Sequence, residues 1–97
     1  MIDELKLNRE RERGARAEAL LRDDLLQEAF AVLEKRYVEE WRMTQFRDTD
    51  ARERLWQAVN IVGKVRDHLA GVVNGGKLAQ RQLDELANGR AKRFGIL

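Results

Sequence analysis

Gly71, Gly76 and Lys77 stand at the spacing G-x-x-x-x-G-K, that of a loop whose backbone amides cradle phosphates while the lysine reaches them. That chemistry also needs a Ser or Thr next, to hold magnesium, and a buried strand before the loop. Here Leu78 follows, and an amphipathic helical pattern precedes. The stretch therefore reads as a corner between two helices with Lys77 exposed. His68 is the lone imidazole; Lys64 stands at i−4 and Val72 at i+4, so no second metal ligand shares its helical face. The carboxylate pairs Asp23-Asp24 and Glu39-Glu40 are adjacent, and neighbours on a helix diverge by about 100°, which rules out a shared-proton dyad.

Nucleophilic catalysis has almost nothing to draw on. The chain contains no serine and no cysteine, and its hydroxyl side chains are Thr44, Thr49 and Tyr37. A nucleophile, a base and an orienting group must converge, and no such set is visible. A non-enzymatic protein with no cofactor and no metal site is expected. The absence of cysteine also excludes disulfides and makes a reducing compartment the default. No apolar run approaches the roughly 18 residues needed to span a membrane, and the charged first residues are unlike a signal peptide.

What remains is the patterning of helices. Proline is absent and 37% of residues are charged, a composition of long solvated helices or coiled coils. Leu55, Ala58, Val62, Val65, Leu69 and Val72 step by 3, 4, 3, 4, 3, the seam of a helix lying along another. The preceding stretch supplies the partner: Leu26, Phe30, Leu33, Tyr37 and Trp41 step by 3 or 4, and Leu25, Ala29 and Val32 widen that face beyond what one seam needs.

The whole chain, 1–97, reads as a single all-α domain. A charged N-terminal helix over 1–22 precedes a long antiparallel helical hairpin over 24–74 (about 24–46 against 50–74). Capping-box spacings at Asp24/Gln27 and Asp50/Glu53 mark the two hairpin starts. Asn74-Gly75-Gly76 ends the second helix, a short helix follows over 77–88, and Asn88-Gly89 closes it, leaving a basic and apolar tail over 89–97. Gly63 and Gly71 lie off the seam, either admitting a close neighbouring helix or simply tolerated.

The positive excess is C-terminal: residues 1–19 carry five basic and five acidic side chains, and 20–76 carry nine and ten. From Lys77 onward five cations (Lys77, Arg81, Arg90, Lys92, Arg93) face only Asp84 and Glu85. Repeated in an oligomer, that patch suits a phosphate backbone, or remains a solvated tail. Phe94, Ile96 and Leu97 after it form a short apolar end that either docks in a partner's groove or folds back. A two-helix core of this size buries little area, so self-association is expected.

The stretch Glu53-Arg-Leu-Trp-Gln-Ala-Val-Asn-Ile-Val-Gly-Lys-Val-Arg-Asp-His-Leu69, continuing through Gly76-Lys-Leu-Ala-Gln80, resembles small proteins encoded by tailed phages and proteobacterial prophages. The resemblance extends over Leu26 to Trp41. The architecture is separately similar to the oligomerisation core of phage small terminase subunits, which build rings from antiparallel helical hairpins. These resemblances imply a homo-oligomer that contacts DNA or a packaging or structural protein through Lys77 to Leu97, with no membrane and no small-molecule substrate. A helical adaptor or scaffold binding only protein, in head or neck assembly or as a regulator of a host protein, is the alternative. The implied setting is the cytoplasm of an infected or lysogenic bacterial host, or the virion.

Overall fold

The computed structural model describes residues 3–93. They form three helices and no strand: α1 (Glu4–Arg22), α2 (Asp24–Met43) and α3 (Thr49–Arg93). Each begins in the same way. The carboxylate of the preceding aspartate accepts the otherwise unpaired amide of the third helical residue: Lys6 on Asp3 (3.3 Å), Leu26 on Asp23 (2.9 Å) and Ala51 on Asp48 (3.2 Å). Asp3 also accepts from Leu5 at 3.0 Å.

The caps thus fall on Asp23 and Asp48, not on Asp24 and Asp50 as the capping-box spacings suggested. Two adjacent or near-adjacent acids compete for each start, and backbone geometry decides. Asp23 is extended (φ −65°, ψ 123°), which breaks α1 from α2 at one residue, while Asp24 already lies in the first turn. Gln27 Nε2 then reaches back to the Leu21 carbonyl (2.8 Å), satisfying an acceptor left open at the end of α1. Substituting alanine at Asp23 or Asp48 should lower stability by about 1 kcal/mol each, read from urea unfolding followed by circular dichroism.

At the other end of α2, the amide and hydroxyl of Thr44 both donate to the Trp41 carbonyl (3.2 and 2.6 Å), ending the helix at Met43 rather than near Phe46. A turn closed by Asp48 N–H to the Gln45 carbonyl (2.9 Å) leads into α3.

The largest departure from expectation is α3 itself. It runs unbroken for 45 residues, through both Asn74-Gly75-Gly76 and Asn88-Gly89. There is no separate short helix over 77–88. The 3,4 spacing of the seam simply continues past Val72 to Gly76, Ala79, Leu83 and Leu86. Glycine costs a helix interior roughly 1 kcal/mol relative to alanine. At Gly76 that cost has a structural return. A Cβ built there would meet the Gly14 Cα at 2.7 Å and the Glu10 carbonyl oxygen at 3.1 Å, so two helix backbones meet where only glycine fits.

The chain resolves into two compact units. One joins Met1–Ala19 with Leu69–Leu97, the other is Leu20–His68. In the first, α1 buries Leu7, Gly14 and Ala17 and α3 buries Val73, Gly76 and Ala79, with Gly14 set against Gly76. Arg90 is ion-paired with Glu4 in the same unit. In the second, Phe30 is the one buried residue of α2. The Arg66 guanidinium lies 5.0 Å from its ring centroid and 3.0 Å from the Glu34 carboxylate. Glu34 is half-buried there, whereas Leu33, which the spacing places in the spine, is exposed.

Candidate interaction surface

The buried core is small for so apolar a chain. Among the described residues the buried hydrophobic side chains are Leu7, Ala17, Phe30, Val73 and Ala79, and none of the larger ones is fully enclosed. The exposed ones are many: Leu5, Leu20, Leu25, Val32, Leu33, Trp41, Met43, Phe46, Trp56, Ile61, Val65 and Leu78. On α3, Leu55, Ala58, Val62, Leu69 and Val72 are half-buried along the seam, whereas Val65 is exposed. A strict 3.5-residue repeat drifts around a straight helix of 3.6 residues per turn, and the next residue, Arg66, is the half-buried one, paired with Glu34.

One exposed cluster was not legible from spacing. Trp41 near the end of α2 and Arg52 in the first turns of α3 come together across the turn. The Arg52 guanidinium sits 4.1 Å from the Trp41 ring centroid and donates to Thr44 Oγ1 at 2.9 Å. Trp41, Thr49, Arg52, Glu53 and Trp56 line a shallow open groove of about 540 Å³. Met43 and Phe46 are almost fully exposed nearby in sequence. Trp, Arg and Met are the residue types enriched in the cores of protein interfaces. The signal available in the sequence was the clustering of Trp41, Met43, Phe46 and Trp56 about one turn; their approach depends on the exact length of that turn.

The basic residues lie in the unit formed by the two chain ends, which carries ten basic and seven acidic side chains. Lys77 and Arg81 are exposed one helical turn apart on α3, and Lys92 and Arg93 are exposed at its end. Arg90 is engaged by Glu4. Lys77 also borders a groove of about 180 Å³ beside the Gly14–Gly76 contact, with Arg11 and Glu18. Phe94, Ile96 and Leu97 lie outside the described residues. The unit over residues 20–68 is close to neutral, with nine basic and ten acidic side chains.

The stretch Gly71–Lys77 is helical throughout, so its amides bond carbonyls four residues back rather than forming a phosphate cradle. Gly63, Gly71 and Gly75 have open space where a Cβ would stand. No group of three or more His, Asp or Glu side chains among the described residues could hold a metal ion, and no described helix is long and apolar enough to cross a membrane. Compared with known proteins, the chain matches no family model, no curated protein and no solved structure.

Proposed function

We propose that this chain is a non-enzymatic phage or prophage assembly factor of small-terminase type. It oligomerises through an antiparallel hairpin of α2 on α3 and meets DNA or a packaging partner through the basic end of α3. The observation that carries the reading is the excess of exposed apolar side chains over buried ones among the described residues. Such a surface serves assembly. Two cross-helix contacts support the hairpin: Trp41 meets Arg52 and Phe30 meets Arg66, so numbers rise along one helix as they fall along the other. The phage setting rests on the sequence resemblance across Glu53–Leu69 and its continuation to Gln80.

Lys77, Arg81, Lys92 and Arg93 supply the cations for a phosphate backbone. Fluorescence anisotropy with a nonspecific duplex should show binding that weakens steeply between 50 and 200 mM salt, as counterion release requires, and that falls when the four are changed to glutamine. No binding at low salt would remove DNA from the proposal. The alternative, an adaptor that binds only protein, is favoured by the pairing of Arg90 with Glu4 and by the Trp41–Arg52–Trp56 groove at the turn.

A further inference from the structure

We propose that a stripe of four cations along α1, Lys6, Arg9, Arg13 and Arg16, receives the phosphate backbone of a nucleic-acid duplex. The inference rests on the DNA reading above and names a face for it that net charge conceals. Residues 1–19 carry five basic and five acidic side chains, yet a helix sorts them by direction. At about 100° per residue, Lys6, Arg9, Arg13 and Arg16 fall within about 40° of one line along α1. All four are exposed. Glu4, Glu10, Glu12 and Glu18 stand about 80° or more from that line, and so does Arg11. The unit of Met1–Ala19 with Leu69–Leu97 supplies the reference, because Arg11, Ala15 and Glu18 line one groove with Val73, Lys77 and Gln80. Lys6 and Arg13 therefore lie on the opposite flank, with Arg9 and Arg16 beside them toward solvent. On that flank α3 adds Gly75, Gln82 and Arg93 and no acid.

Charge selects the partner. Successive members of the stripe stand three or four residues apart, the spacing at which like charges repel on a helix surface. Among the described residues none of the four is held in an ion pair, whereas Arg66 and Arg90 are. An anionic partner removes that repulsion. The stripe is about 15 Å long at 1.5 Å per residue, and a duplex presents about nine phosphates over that length. The described part of this unit has no aromatic side chain on which unpaired bases could stack, so the match is to a duplex backbone without base reading. An anionic membrane would need an outward apolar face. The large apolar side chains that α1 exposes are Leu5 and Leu20, while Leu7 and Ala17 are buried.

Fluorescence anisotropy with a nonspecific duplex and the full chain tests the face through a charge-matched pair. Arg13→Gln should weaken binding about tenfold at about 50 mM salt, and Arg11→Gln, two residues away on the other flank, should leave it unchanged. Glutamine at Lys6, Arg9, Arg13 and Arg16 together should weaken it at least about a hundred-fold. The same variant should make the salt slope shallower by about 3–4, since each phosphate contact contributes about 0.9. Helical circular dichroism should be retained, because all four are exposed and glutamine is a good helix former. Lysine at Arg9, Arg13 and Arg16 should keep the slope, as the stripe acts through charge. A quadruple variant that binds as the wild type does, while glutamine at Lys77, Arg81, Lys92 and Arg93 abolishes binding, overturns this face and leaves the DNA reading standing. Equal losses from Arg11→Gln and Arg13→Gln overturn the face too, and so does a preference for phosphatidylserine vesicles over duplex. A wild-type chain that binds no duplex at about 50 mM salt overturns both.

Discussion

Gly76→Ala will lower the melting temperature by about 10 °C, and the same substitution one residue earlier, Gly75→Ala, will raise it by a few degrees. The two glycines are neighbours on one helix and differ only in what a methyl group would meet. At Gly76 the new carbon would stand 2.7 Å from the Gly14 Cα and 3.3 Å from its nitrogen. Those are backbone atoms and have no rotamer by which to move aside, so α1 and α3 must part at Gly14, within the unit that buries Leu7, Ala17, Val73 and Ala79. Overpacking of this kind costs about 1–3 kcal/mol, against a gain in helix propensity of up to about 1 kcal/mol. At Gly75 only the gain remains, because nothing lies within 4 Å. For a domain of this size 1 kcal/mol corresponds to about 4–8 °C. Scanning calorimetry on both variants, with Gly14→Ala as the reciprocal of Gly76→Ala, checks the sign at each position. Equal shifts at 75 and 76 would show that the helices do not meet at glycine.

Phe30→Ala carries the other large effect, a loss of about 3 kcal/mol. Truncating a buried phenylalanine typically costs 3–5 kcal/mol, and the lower end fits a ring covered on one side by a partly exposed arginine. Phe30 is the single buried side chain of α2, so nothing else on that helix replaces it. The ring also supports the Arg66 guanidinium, which would keep only its Glu34 partner, an exposed pair contributing less than about 1 kcal/mol. Hydrogen exchange should therefore show lost protection over residues 24–43 and 55–68, while amides beside the Gly14–Gly76 contact exchange as before. Uniform loss of protection across the chain would mean that the two units unfold as one.

The helical class was legible because proline is absent and apolar residues recur at helical spacing over long stretches. The existence of α2 and its turn into α3 followed from Leu26–Trp41 and Asp48-Thr49-Asp50. The end of α3 was not legible, and Gly76 shows why. In sequence, Asn74-Gly75-Gly76 carries the signature of a helix C-terminus, where glycine serves the left-handed conformation. A glycine that admits another backbone looks identical, and the difference lies in Gly14, far away along the chain. A longer reading of the 3,4 repeat, through Gly76, Ala79, Leu83 and Leu86, contained the correct answer. Val65 and Leu33 illustrate the complementary error. Each is apolar at the right spacing, yet both are exposed, while their charged neighbours Arg66 and Glu34 are half-buried and pair beside the Phe30 ring.

The division of contacts along the chain also sets an order of events in synthesis. The unit over Leu20–His68 is built from segments joined by one short turn and can close as soon as they are extruded. The unit that holds Gly14 against Gly76 and Glu4 against Arg90 joins two segments that stand on either side of that stretch in the sequence. Until the part of α3 beyond His68 leaves the ribosome, the α1 residues that this unit buries, Leu7, Gly14 and Ala17, therefore stay uncovered. A chain stopped after His68 would keep the unit over Leu20–His68 and leave Leu7, Gly14 and Ala17 of α1 bare, so the helix made before the others is the last to be covered.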